Sequence, residues 1–346
     1  MTRREPSGES PYVVSRAYDW AFFLLPPIGM LALAALAAYA GVEGSRLSLG
    51  GRRTTYWALA TGVLTHAHLV AVFFRSHGNG SIRRRHPLRF LVVPPVLVAA
   101  IAISPAAAIV SSVVVVFWDV YHSALQTFGF ARIYDQRAGN GPRVGRRLDL
   151  MLNLVLYAGP ILGGATMLAH VGKLEDLSDV GATFFTRVPV SMSNHHATIA
   201  RVVALGLTLA VVVYVLGYVR LARQGYRVSP PKVFLVASTG FCSVVAWGLN
   251  PWGLAFAIMN IFHAVQYLAL VWWSEGRRLA TARRLPGRVA GLAVYLVLVL
   301  AYGFAADRAD VDDRVLWAVA QTVALMHFWY DGFVWSVTRK DVSAPT

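Results

Sequence analysis

The sequence predicts an all-α protein, a polytopic bundle of about ten transmembrane helices. Of its 346 residues, 56% are hydrophobic and only 14% are charged, whereas about a quarter are charged in ordinary soluble domains. The mean hydropathy is +0.53. The apolar residues fall into runs of about 20, the length that crosses a bilayer as a helix. A soluble enzyme, a disordered chain and a disulfide-stapled secreted domain are excluded, the last because Cys242 is the only cysteine.

Ten apolar runs are predicted to span the membrane, and together they form one domain over residues 1–346, with polar tails at 1–17 and 338–346. Prolines follow Ser104 and Asn250 at two tight joins, where the residue before proline is pushed away from helical geometry. Each join is therefore a hairpin or a kink. The predicted spans are Tyr18–Gly41, Tyr56–Phe74, Leu88–Ser104, Ala106–Phe130, Leu150–His170, Ala197–Ala222, Val233–Leu249, Pro251–Trp273, Val289–Ala306 and Val315–Val337.

The basic residues predict the orientation of the chain. Arg75–Arg89 carries five arginines and no acid, whereas Asp307–Arg314 carries four aspartates and two arginines. Because arginine concentrates in cytoplasmic loops, both termini are expected in the cytoplasm; only Val42–Thr55 runs against the rule. The net charge of +15 therefore reflects orientation in the lipid bilayer, and no nucleic-acid partner is expected. The excess of arginine over lysine is typical of a GC-rich bacterial gene, which suggests a bacterial inner membrane.

Five histidines lie inside predicted spans and away from their ends, where ionisable groups are costly and mark function. Their four helices all run from outside to inside in the predicted topology. At about 1.5 Å per residue, the imidazoles share one band between the midplane and the inner half of the bilayer. A common site explains such a shared level. The five are His66, His68, His122, His263 and His327.

Polar residues recur at helical spacing around three of these histidines, and a polar partner fixes the tautomer of a metal-ligating imidazole. Asp119 and Asp331 are candidate ligands beside His122 and His327. His66 and His68 are about 200° apart on a helix, so only one faces the cluster, with a slight preference for His66. The expected supporting residues are Gln126, Asn260, Gln266 and Tyr330.

Four other histidines are expected to lie outside the cluster. His77 and His86 belong to a basic inner segment that suits the lipid headgroups. His195 and His196 fall in a predicted outer loop, where they are expected to be solvated.

The candidate set combines imidazoles with one or two carboxylates and no thiolate, which suits iron, zinc or copper. Iron is favoured, with O2-dependent oxidation or cleavage of a hydrophobic, lipid or carotenoid-like small molecule as the expected chemistry. A b-type haem held by two of the histidines is an alternative, whereas c-type haem attachment needs a C-x-x-C-H motif that is absent. A proton-coupled transporter that uses the histidines and aspartates as a relay is another. Simple polar contacts between helices are the third.

Isolated histidines on separate membrane helices give the chain an architecture that resembles the Brp/Blh family of β-carotene dioxygenases, which are integral-membrane non-haem iron oxygenases. The histidine boxes of membrane desaturases are absent, since the sequence has only the clusters "HAH" and "NHH". The resemblance is one of architecture, and no family residue transfers by motif. It implies Fe(II), O2 and a long apolar substrate.

Overall fold

The computed structural model describes residues 10–49, 52–172, 174–179, 181–250, 252–282 and 287–335. Over these residues the chain is almost entirely helical, which confirms the all-α prediction. The α-helices are α1 (Arg16–Asp19), α2 (Pro26–Tyr39), α3 (Tyr56–Ser76), α4 (Gly80–Arg85), α5 (Pro87–Leu91), α6 (Val93–Ile103), α7 (Pro105–Arg137), α8 (Arg146–Gly163), α9 (Met167–Gly172), α10 (Val188–Arg223), α11 (Pro230–Ser243), α12 (Ala255–Ala282), α13 (Arg288–Ala306) and α14 (Arg314–Val334). Shorter turns are the π-helical Trp20–Leu24 and Val244–Leu249 and the 3₁₀-helical Glu175–Ser178 and Thr183–Arg187.

Among the described residues, six helices are long and apolar enough to cross a membrane, so the protein is an integral membrane protein. They are Tyr56–Ser76, Pro105–Arg137, Ser191–Arg223, Pro230–Leu249, Ala255–Thr281 and Arg288–Ala306. A bent pair, Arg16–Leu24 and Pro26–Tyr39, adds a seventh crossing if it is one span. The segments predicted as Leu88–Ser104, Leu150–His170 and Val315–Val337 contain helices that are shorter or more polar, and the last two residues of the third segment lie outside the described residues. The count of ten spans and the orientation remain predictions.

The chain breaks where proline predicted it. Ser104 ends α6 in an extended conformation and then caps α7, because its hydroxyl accepts a hydrogen bond from the amide of Ala107 at 3.3 Å. Asn250 is likewise extended after the π-helical turn Val244–Leu249. Both joins therefore separate two helices.

The segment predicted to span Leu150–His170 is shorter than expected. Helix α8 ends at Gly163, and a Cβ atom on Gly164 would lie 2.4 Å from the Cα of Gly248. The glycine lets the two backbones meet, and the amide of Ala165 donates to the carbonyl of Gly248 at 2.8 Å. His170 consequently lies on the separate helix α9.

Two segments that were predicted to be outer loops contain helix or strand. Helix α10 begins at Val188, so His195 and His196 lie on a helix and not in a loop. Nε2 of His196 is 3.2 Å from the carbonyl oxygen of Gly164. In the predicted loop Val42–Thr55, strands β1 (Arg46–Leu49) and β2 (Arg52–Thr55) pair antiparallel.

Helices α3, α7, α12 and α14 position the candidate site. Helix α3 packs against α12, α13 and α14, and α14 also packs against α7. A Cβ atom on Gly303 would lie 2.2 Å from the backbone oxygen of Val63, so this glycine allows the close approach of α13 to α3. The packing turns one face of α3 inward, where Ala67, Ala71 and Val72 join the buried core.

Candidate metal centre

Four buried histidines, one from each of α3, α7, α12 and α14, meet inside the bundle. They are His68, His122, His263 and His327, and no more than 3% of any of them is exposed. The ring centroids are 4.7 Å apart for His122 and His327 and 4.9 Å for His68 and His327. His263 lies 4.9 Å from His68 and 5.5 Å from His122. The shared level inferred by counting residues along the helices agrees with this placement.

His122 and His327 form the closest pair. Their Nε2 atoms are 3.0 Å apart, and Nδ1 of His327 is 3.0 Å from the carbonyl oxygen of Leu69. Because a carbonyl oxygen only accepts, Nδ1 of His327 carries the proton, and the neutral ring presents an unprotonated Nε2. This backbone contact fixes the tautomer that a metal-ligating imidazole needs.

A carboxylate flanks the pair. Oδ2 of Asp331 is 3.6 Å from Nε2 of His327 and 4.0 Å from Nε2 of His122. The other oxygen, Oδ1, accepts hydrogen bonds from the Tyr267 hydroxyl at 2.6 Å and from the Trp335 indole at 3.1 Å. These two donors hold the carboxylate with Oδ2 towards the histidines.

Sequence reasoning missed Tyr267 and Trp335. Both lie one helical turn after a predicted site residue, Tyr267 after His263 and Trp335 after Asp331. That spacing was the available signal.

Buried ring nitrogens in this cluster lack partners. Within the described part of the chain, neither nitrogen of His68 has a hydrogen-bond partner, nor has Nε2 of His263. One nitrogen each from His68, His122 and His327 lies within 4.8 Å of the others. A buried polar atom without a partner loses its hydration at a cost of about 1–3 kcal/mol. These three nitrogens could hold one metal ion.

The predicted supporting glutamines brace the backbone behind His263. The Gln126 amide donates to the carbonyl of His263 and to Oε1 of Gln266, each at 3.1 Å. Gln266 in turn donates to the carbonyl of Phe23 at 2.7 Å. Asn260 instead donates to a carbonyl on its own helix at 2.9 Å. The two glutamines therefore tie α12 to α7 and to the N-terminal turn.

Three sequence candidates lie outside the cluster. His66 is half-buried, and its Nδ1 is 2.9 Å from the carbonyl oxygen of Gly62, so the slight preference for His66 over His68 is not followed by the structure. The hydroxyl of Tyr330 donates to the carbonyl of Arg89 at 2.9 Å rather than to a site residue. Asp119 is half-buried and does not belong to the group of three histidine nitrogens.

His77, which follows α3 directly, contacts the backbone of α5. Its Nε2 lies 2.7 Å from the carbonyl oxygen of Phe90. Burial lowers the pKa of His77, the Phe90 carbonyl opposes this shift, and the nearby Arg83 adds to it. The ring is therefore a neutral bridge between α3 and α5.

A cavity opens beside the site. Its volume is about 620 Å³, and its lining includes His122 and Asp331 together with aromatic rings such as Trp118, Tyr121 and Phe328. Cavities of about 300–1,000 Å³ with apolar walls and few polar groups are typical of small-molecule sites. A ligand in this cavity would contact His122 and Asp331.

The comparisons with known proteins give no relative. No protein-family model matches the sequence, and neither a curated protein nor a solved structure matches the chain.

Proposed function

We propose that this integral membrane protein is a metalloenzyme that holds a transition-metal ion between His68, His122 and His327. Iron is the favoured metal, and O2-dependent oxidation or cleavage of a hydrophobic substrate is the favoured reaction. The observation that carries the proposal is the group of three buried imidazole nitrogens within 4.8 Å of one another. Burying imidazoles of three helices together would otherwise leave His68 without a partner among the described residues.

The distances support one ion at the centre. Two imidazole nitrogens at about 2.1 Å from an ion, with about 90° between the bonds, lie about 3.0 Å apart. Nε2 of His122 and Nε2 of His327 have that separation. In a metal-free site, a proton lies between the Nε2 atoms of His122 and His327, and the ion would displace it. His327 would keep the proton on Nδ1, which is hydrogen-bonded to the carbonyl oxygen of Leu69.

Three histidines beside a carboxylate suit iron, zinc or copper, and the carboxylate is the reason that we favour iron. Two histidines and one carboxylate with open positions are the pattern of non-haem Fe(II) oxygenases, and His122, His327 and Asp331 offer those donors. Cys242 lies elsewhere, with Sγ 3.3 Å from the Pro27 carbonyl oxygen, so no thiolate competes.

The bound ion would supply activation of O2, and the protein would supply a cavity with aromatic walls for the substrate. Cleavage of a carbon–carbon double bond balances without a reductant, because each oxygen atom of O2 ends in one of two carbonyl products. The architectural resemblance to Brp/Blh dioxygenases supports the same reaction class, and the arginine-rich composition supports a bacterial inner membrane.

Two alternatives use the same residues. A haem would lie between its axial imidazoles, whereas the Nε2 atoms of His122 and His327 are 3.0 Å apart, so the packing favours a single ion. A proton relay through the histidines and Asp331 needs no stoichiometric metal. The metal content therefore discriminates between the enzyme and the transporter.

The test is elemental analysis of the purified protein with an optical spectrum. We expect about one transition-metal ion per chain, mainly iron, and no Soret band. His68→Ala should lower the metal content strongly. His66→Ala is the matched control, because it removes an imidazole two residues away whose Nδ1 atom contacts the carbonyl oxygen of Gly62 on the same helix.

If the protein is metal-free and active in a transport assay, the proposal of a metalloenzyme is wrong and a proton-coupled transporter takes its place. Equal metal loss in the two variants would show that the ion does not depend on the buried cluster.

A further inference from the structure

The cavity beside the metal centre runs along one face of α7 and changes character along its length. The end near the histidine cluster is lined by His122 and by aromatic side chains. The opposite end is lined by Arg132, Pro142 and Arg146. His122 and Arg132 are ten residues apart, about 15 Å along the helix axis. The cavity is therefore apolar near the histidines and cationic at the other end.

The cationic end belongs to the part of α7 that exceeds the length needed to cross a hydrocarbon core. Helix α7 has 33 residues, about 50 Å of helix, whereas the hydrocarbon core is about 30 Å thick. Its exposed apolar side chains extend from Val110 to Tyr121. The charged residues of α7 beyond Tyr121 begin at Arg132, about 16 Å further along the helix axis.

Arg146 is the unbalanced charge at this end. Arg132 contacts Asp135 at 2.5 Å and Asp149 at 2.6 Å, and Lys232 contacts the same two carboxylates at 2.8 and 2.9 Å. Two cations and two anions cancel in this buried network. Arg146 is exposed, its guanidinium is 5.5 Å from the Phe128 ring centroid, and it pairs with no carboxylate in the described ranges.

One hydrogen-bond donor of this buried network has no acceptor. The Nε atom of Arg132 is buried and has no acceptor among the residues that the structure describes. Arg132 is 5% exposed and belongs to the cavity lining. An anion at the cationic end would meet Arg146 and would offer an acceptor close to Arg132.

Two glycines keep the path between the ends open. Gly129 on α7 and Gly332 on α14 both line the cavity, and a Cβ atom on either would meet no protein atom within 4 Å. Since helix packing does not require glycine at these positions, the space that they leave belongs to the cavity. This space is available to the hydrocarbon chain of a ligand.

We infer that the substrate of the proposed metal centre is an amphiphile with an anionic headgroup and an unbranched hydrocarbon chain that carries the double bond to be cleaved. Its carboxylate or phosphate lies at Arg146, and its chain passes Gly129 and Gly332 towards His122. The role as substrate rests on the proposed function, whereas binding does not depend on the metal. A free fatty acid and an anionic phospholipid both present this chemistry.

The experiment measures dissociation constants of dodecanoate and of dodecanol for the purified full chain in non-ionic detergent. We expect the acid to bind about tenfold more tightly than the alcohol, which corresponds to about 1.4 kcal/mol. Arg146→Gln should remove the difference. Arg147→Gln is the matched control, because Arg147 is exposed and is not part of the cavity lining, and it should keep the difference.

Gly129→Leu and Gly332→Leu test the passage, and both should weaken the acid and the alcohol together while the protein stays folded. Displacement of dodecanoate by phosphatidic acid would identify a phospholipid as the source of the anion, and its failure a free acid. Equal binding of acid and alcohol, or an equal effect of the two arginine variants, would overturn the inference. Repeating the titration after chelation separates it from the metal proposal, since headgroup preference should persist in metal-free protein.

Discussion

The hydroxyl of Tyr267 offers a sharp perturbation of the proposed metal centre, because it hydrogen-bonds the Asp331 carboxylate and leaves the histidine side chains intact. It donates to Oδ1 of Asp331 at 2.6 Å, and Trp335 provides the second donor at 3.1 Å. Tyr267→Phe removes the shorter of the two hydrogen bonds. A hydrogen bond to a charged group contributes about 1.5–3 kcal/mol. The expected loss of metal affinity is about 10–100-fold, the range for residues that orient metal ligands.

The assay is competition for the metal between the protein and a chelator of known affinity. Tyr330→Phe is the matched control, since the Tyr330 hydroxyl donates to the carbonyl of Arg89 at 2.9 Å and contacts no site residue by hydrogen bond. It should change metal affinity by less than about twofold, well below the effect of an orienting residue. Equal affinities in the two variants would refute the orienting role of Tyr267, and loss in Tyr330→Phe alone would favour the interpretation made from sequence.

Other consequences concern stability and topology. Lys232→Met leaves two buried aspartates short of a cation and should destabilise the protein by about 3–5 kcal/mol, measured as a lower Tm in detergent. Burial lowers the pKa of His77, so its contribution to stability is present above about pH 6.5 and is lost as the pH falls through the lowered value. His77→Gln should therefore lose less Tm than the wild type between about pH 7.5 and about pH 5.5. Gly303→Leu should lower the folded yield, because a Cβ atom there lies 2.2 Å from the Val63 backbone oxygen, whereas Gly206→Leu meets open space and should not. Accessibility labelling of tags should find both termini in the cytoplasm, and a periplasmic C-terminus would mean an odd number of spans.

Contacts within one helix could be predicted from the sequence, because helical periodicity fixes them. The four-residue spacing of His327 and Asp331 placed both side chains on one face, and they are 3.6 Å apart in the structure. The depth of each histidine could be counted in the same way, since the rise per residue is constant. Proline marked the breaks after Ser104 and Asn250 for a similarly local reason.

Contacts that depend on how a helix is rotated could not be predicted. His68 rather than His66 faces the cluster because α3 is oriented by its neighbours, including the glycine at position 303 of α13. Tyr267 on α12 donates a hydrogen bond to Asp331 on α14. Tyr330, which is adjacent to Asp331 in sequence, instead donates to the carbonyl of Arg89. Side chains next to one another in a helix point about 100° apart, so sequence proximity to a site residue does not place a side chain in the site.

X-ray absorption spectroscopy of the purified, metal-loaded protein tests the metal centre most directly. The account predicts imidazole scattering from two or three nitrogen ligands at about 2.0–2.1 Å and no sulfur at about 2.3 Å. The imidazole contribution should fall in His68→Ala and stay unchanged in His66→Ala. A spectrum without imidazole scattering, or one that is identical in the two variants, would contradict the assignment of the buried histidines as the metal site.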